Sequence, residues 1–109
     1  MRLPQPGTRV RGSRSGRPVM ALLDLLGRRM ALRILWELSR ADAPLTFRGL
    51  QAAANTNPAL LNTRLKELRA ASLVVHDGDG YALSEEGRTL VQLLLPIGAW
   101  AERWAAESK

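Results

Sequence analysis

The sequence predicts a mainly α-helical fold with one small β-hairpin, and three observations carry that expectation. Apolar residues recur at helical spacing through most of the chain from Pro18 onward. The period changes around Asp77-Gly78-Asp79-Gly80, where Asp-Gly is a strong hairpin signal. Helix start signals, at Thr46, at Asn57-Pro58 and at Ser84-Glu85-Glu86, stand just ahead of apolar-periodic runs.

Taken in order, residues 1–17 combine Gly, Pro, Ser and Arg without an apolar period, so a disordered basic tail is expected there. The ordered domain is expected over 18–109. Pro18 suits the first position of a helix, and Val19, Leu22, Leu23 and Leu26 follow at helical spacing until Gly27. The segment from Arg28 to Arg40 places Ala31, Ile34, Leu35 and Leu38 on one stripe, and Ala41-Asp42-Ala43-Pro44 ends it. Leu45 is expected to add one short strand before Thr46 caps a helix carrying Phe47, Leu50 and Ala53. Asn57 then caps a further helix in which Leu61, Leu65 and Leu68 form the core stripe. Leu73 to His76 and Tyr81 to Leu83 read as two strands. A C-terminal helix follows with Leu90, Leu93, Leu94, Ile97, Trp100 and Trp104 along it, and Pro96 is expected to kink or divide it.

Length and composition narrow the function. The chain has 109 residues, enough for one domain with one core. It has no cysteine, which removes disulfides, thiolate metal sites and thiol redox chemistry together. A single histidine, His76, leaves too few ligand types for a zinc site, and no cofactor is expected. The apolar stretch Leu93–Ala101 is interrupted by Pro96 and Gly98 and is far too short to span a membrane. No apolar segment follows the basic N-terminus, so no secretory signal is read and the cytoplasm is the expected location. There is no phosphate-binding glycine loop, no histidine pair and no close carboxylate pair beyond Glu85-Glu86, so no enzyme is expected.

The net charge of +6 is concentrated at one end. Residues 1–17 hold five arginines and no acid, leaving eleven basic against ten acidic groups in the remainder. Within that remainder, 28–40 carries +3 and 57–70 carries +2, whereas 77–86 carries −4. A basic tail with two basic helical segments suits a polyanion partner; solvated faces of an Arg-rich protein are the plainer reading. The tail itself reads either as an arm along the minor groove or phosphates, or as a solubility extension.

Two helices joined by an Asn/Thr turn and followed by a hairpin make a winged helix-turn-helix, with extra helices at either end. Several short strings occur along it in order: Pro18-Val19 with Leu23-Asp24-Leu25-Leu26-Gly27; Ile34-Leu35-Trp36-Glu37-Leu38; and Phe47 with Leu50. Asn57-Pro58 through Leu61, Arg64-Leu65-Lys66-Glu67-Leu68, Leu73-Val74 and Leu83-Ser84-Glu85-Glu86-Gly87-Arg88 continue the series. In that order and spacing, from about Arg17 to Glu102, the chain resembles the HxlR-type winged helix-turn-helix transcriptional regulators, relatives of the MarR group. The resemblance implies a homodimer that binds a pseudo-palindromic DNA duplex through the helix near 58–70, with the first and last helices forming the dimer. It also exposes departures. Arg17 stands where that family usually has a cysteine, so a thiol switch is impossible here. Met30 replaces the usual Trp after a Gly-Gly-Lys-like turn, Ala59 replaces a frequent basic residue, and the shortened wing carries Asp77 and Asp79.

The candidate DNA-binding positions are Arg48, Asn57, Ala59, Asn62, Thr63, Arg64 and Lys66. Asn pairs bidentately with adenine, and Lys reaches guanine or phosphate. Arg64 and Arg69 either flank the DNA backbone or pair with Glu67. The candidate dimer interface is Val19, Leu22, Leu23, Leu26, Leu94, Ile97, Trp100 and Trp104, because the C-terminal segment has more apolar surface than a small domain covers alone. For the two tryptophans the competing reading is burial against their own subunit's core. Trp36 lies off its helix stripe and marks either an effector pocket, a partner surface or partial core burial. His76 reads as a hairpin surface residue. A small-molecule effector is left open, and the rival function is a winged-helix interaction or ligand-sensing module without sequence-specific DNA binding.

Overall fold

The computed structural model describes residues 17–108. The tail expected over 1–17 therefore lies outside the described residues apart from Arg17. Five helices and a hairpin follow in the order α1 (Pro18–Leu26), α2 (Ala31–Arg40), α3 (Phe47–Ala54), α4 (Pro58–Ala70), β1 (Val74–Asp77), β2 (Gly80–Leu83) and α5 (Glu85–Glu107). The fold is mainly α with one antiparallel hairpin, a winged helix with additional helices at both ends.

Local chemistry sets most of the boundaries. Thr46 accepts the Gly49 amide, Asn57 accepts the Leu60 amide, and Ser84 accepts the Gly87 amide, so three helices begin on side-chain caps. Between α1 and α2 the structure departs from the sequence reading. Helix α2 starts at Ala31 rather than Arg28, because Met30 adopts φ 74°, a left-handed conformation outside the helical basin. That turn lays the Met30 side chain against the core, where it fills space as a flexible apolar group.

The hairpin pairs Val74 with Leu83 and Asp77 with Gly80, leaving a two-residue turn between the strands. Leu45 joins it by an isolated bridge to Tyr81, with reciprocal backbone bonds of 2.9 and 2.8 Å. Gly80 makes that bridge possible: it sits at φ 128°, and a Cβ there would approach the Leu45 carbonyl to 2.5 Å. The core gathers Leu25 and Leu26, Ile34 and Leu35 with Leu38, Leu50, the stripe Leu61/Leu65/Leu68, and Val74, Leu83 and Val91. Every stripe read from the periodicity of α2 and α4 is buried.

Pro96 does not divide the last helix, which runs unbroken from Glu85 to Glu107. Proline removes the amide that would bond the carbonyl of residue 92, and here both Pro96 and Gln92 are exposed, so the break in the ladder falls on the solvent side of the helix. No helix among the described residues is long and apolar enough to cross a membrane.

Candidate nucleic-acid interface

Helices α3 and α4 meet through Asn55-Thr56-Asn57. Asn55 takes φ 53°, which asparagine tolerates because its short amide is compatible with left-handed backbone. Asn57 then starts α4, with Pro58 at its first turn. The buried stripe Leu61/Leu65/Leu68 holds α4 to the body, and Ala59, Asn62, Thr63, Lys66 and Arg69 are exposed on the other side. These positions are three or four residues apart and so share one helical face. Asn57 is exposed beside them with its carbonyl oxygen committed to the cap. The Thr63 hydroxyl donates to the Ala59 carbonyl at 3.1 Å, which leaves its methyl group and remaining acceptor capacity at the surface. Arg48 lies exposed in the first turn of α3.

Arg64 does not join this face. Its Nε donates to the Arg29 carbonyl at 2.8 Å and its Nη1 to Glu67 Oε1 at 3.1 Å, so of the two readings left open for it the pairing with Glu67 is the one found. Its side chain is only 16% exposed. The residue is one position from the core residue Leu65, and a buried carboxylate within reach draws it inward. Arg69, in contrast, is exposed, and with Lys66 and His76 it borders a concavity of about 520 Å³ between the end of α4 and β1. The sequence carries no signal for that grouping, since the three meet only through the packing of α4 on the hairpin.

At the hairpin tip, Asp77 Oδ1 accepts the Asp79 amide at 2.8 Å, and both acids are exposed. His76 stacks on its cross-strand partner Tyr81, centroids 3.9 Å apart and planes 7° from parallel. The site is thus a polar and basic helix face bounded by a short acidic turn.

No family model matches the chain, and no curated protein does. Among solved structures, the quinone-bound YodB from B. subtilis superposes with a TM-score of 0.72 at 28% identity, over 78% of this chain and 96% of that one. A possible HxlR family transcriptional factor from Thermoplasma volcanium GSS1 superposes with a TM-score of 0.69 at 22% identity, over 78% and 82%. The chain thus shares its winged-helix fold with these two structures.

Helices α1 and α5 each give one part to the core, through Leu25 and Leu26 and through Val91, and present apolar surface elsewhere. Val19 and Leu23 are each 54% exposed, and Ile97, Trp100 and Trp104 are exposed to a similar degree. Trp100 and Trp104 stack on each other, with centroids 5.8 Å apart, and neither reaches the core cluster. Leu22 and Leu94 are half-buried. Leu26 corrects the expectation: it is buried in its own subunit's core, because the turn at Gly27 folds the end of α1 inward. Trp36 is exposed, with the Arg40 guanidinium 5.8 Å from its ring centre, and it borders a groove of about 500 Å³ with Leu32, Leu94 and Ile97.

Proposed function

We propose that the protein is a homodimeric transcriptional regulator that binds duplex DNA through α4. The observation that carries this is the exposed face Ala59/Asn62/Thr63/Lys66, turned outward by a fully buried leucine stripe on a capped helix. A helix of that kind fits the major groove, which is wide enough for one helix and displays a distinct donor and acceptor pattern for each base pair. In this reading Asn62 and Thr63 meet base edges, Lys66 meets a base or phosphate, and Arg48, Asn57 and the exposed Arg69 lie towards the backbone. Arg64 supports the helix from behind. The fold shared with YodB and with a possible HxlR family transcriptional factor supports a regulatory rather than a catalytic role, for which the cytoplasm is the proposed location.

The exposed faces of α1 and α5 supply the dimer, through Val19, Leu23, Ile97, Trp100 and Trp104 with Leu22 and Leu94 at the edge. Contiguous apolar surface of this kind marks an association site, and aromatic pairs are frequent anchors. Two copies then bring two α4 helices to half-sites about 10–10.5 base pairs apart or a multiple of that. Selection of bound fragments from fragmented genomic DNA tests the proposal: enriched sequences with a dyad at such spacing are expected.

A second reading is favoured by the acidic tip at Asp77 and Asp79, which repels phosphate, and by Ala59, which has no donor. It is a winged-helix interaction or ligand-sensing module without an operator. Absence of any enriched sequence, with the protein folded and dimeric, would select it.

A further inference from the structure

Helix α4 buries one charge. Glu67 is 6% exposed, and its carboxylate is met from two directions: Oε2 accepts Arg28 Nη1 at 2.6 Å and Oε1 accepts Arg64 Nη1 at 3.1 Å. Arg28 also donates through Nη2 to Asp24 at 3.0 Å, while Arg64 donates through Nε to the Arg29 carbonyl at 2.8 Å. Two guanidiniums and two carboxylates, none more than 18% exposed, thereby join the end of α1, the α1–α2 turn and the middle of α4 in a charge-balanced cluster.

Such a cluster is a poor way to obtain stability. Desolvating four charges offsets most of their attraction, and apolar side chains of similar volume commonly do as well or better. Arg28 Nε adds to that cost, being buried without a hydrogen-bond partner. What the cluster supplies is direction. A leucine stripe permits small slides and rotations, whereas a guanidinium fork between two carboxylates fits one geometry. The two elements so joined are those the proposed function separates: α1 with the exposed dimer residues Val19 and Leu23, and α4 with the exposed reading face.

We propose that Arg28 and Glu67 are positioning residues that fix the height and angle of the reading helix relative to α1, and thereby the half-site spacing the dimer accepts. The inference rests on the DNA-binding dimer reading for its consequence, though not for its geometry. Arg28→Met removes the fork. Arg28→Lys keeps the charge but cannot hold two fixed nitrogens against Asp24 and Glu67 at once, and it is the second variant should Arg28→Met fail to fold.

Two measurements decide it. Because the chain has no cysteine, Met20→Cys and Asn62→Cys accept nitroxide labels without competition, and pulsed EPR on labelled subunits diluted with unlabelled chain reads the α1–α4 distance. The parent should give one narrow peak, and the Arg28 variants a broadened or displaced one. On unlabelled protein, inserting one base pair between half-sites should weaken the parent about tenfold or more, the size of a mispositioned base contact, and the Arg28 variants much less. Binding to an isolated half-site should be little changed in either variant. A folded Arg28 variant with the parental distance distribution and the parental spacing preference would overturn the proposal. If the parent binds no duplex, the DNA reading fails by itself, and the EPR comparison still decides whether Arg28 holds α4 to α1.

Discussion

Replacing Gly87 by alanine should unfold this protein more readily, although the position is inside a helix. Gly87 is the third residue of α5, and a Cβ there would overlap the Leu73 carbonyl oxygen and stand 3.1 Å from its carbon and 3.3 Å from Leu83 Cδ2. A carbon and a carbonyl oxygen rest at about 3.3–3.6 Å, so the start of α5 would have to withdraw by more than about 1 Å. Three hydrogen bonds stand in the way: Ser84 N–H to the Leu73 carbonyl at 3.0 Å, Ser84 Oγ–H to the Ser72 carbonyl at 2.6 Å, and Gly87 N–H to Ser84 Oγ at 2.9 Å. Overpacking costs about 1–3 kcal/mol and loss of the cap about 1, against a gain of about 1 from alanine's helix propensity. With one further hydrogen bond weakened by about 0.5–1.5 kcal/mol, the net loss is about 1.5–4.5 kcal/mol. At about 5 °C per kcal/mol for a domain of this size, that lowers Tm by roughly 8–23 °C. Thermal and urea denaturation followed by circular dichroism, at matched protein concentration, would measure it. Gly98 in the same helix is the control, because no atom of the described residues lies within 4 Å of a Cβ there. Gly98→Ala should stabilise by about 0.8–1 kcal/mol through propensity alone. A Gly87→Ala protein as stable as the parent would refute the close-approach argument.

Other perturbations separate stability, association and reading. Leu65→Ala opens a cavity at a side chain that is 1% exposed and should cost about 2–5 kcal/mol in urea titrations. Trp104→Glu places a charge on the exposed tryptophan pair and should yield a folded monomer that no longer binds a two-site operator; sedimentation equilibrium showing parental dimer affinity would remove α5 from the interface. Asn62→Ala should relax base preference at one operator position by about 1–3 kcal/mol, read from binding to a panel of single-base operator variants. Lys66→Ala, if the lysine meets phosphate, should instead weaken binding on all sequences and reduce the salt slope by about 0.9. An Asn62→Ala protein that keeps the parental affinity and base preference across the whole panel would place the reading face elsewhere.

Local chemistry made a large part of this fold legible in advance. Caps, helical stripes and the Asp-Gly turn depend on residues within a few positions of one another, and Thr46, Asn57, Ser84 and the Leu61/Leu65/Leu68 stripe all behave as their neighbours dictate. The candidate reading face was legible for the same reason, since it is the complement of that stripe. What only the tertiary structure decided involves partners distant along the chain. Arg64 and Arg69 look alike in sequence, yet one turns in to Glu67 and the Arg29 carbonyl, 35 residues away, while the other stays exposed. Arg28 belongs to a basic segment by composition and to a buried cluster by its contact with Glu67, 39 residues on. Leu26 continues the apolar period of α1 but is folded into the core by the turn after it. Gly87 would be read as a weak point in a helix, and the Leu73 backbone packed against it reverses the sign of its replacement. Propensity and periodicity act within one or two helical turns. Close approach of backbones and the pairing of buried charges are set by which segments the whole core brings together, and no local window contains that.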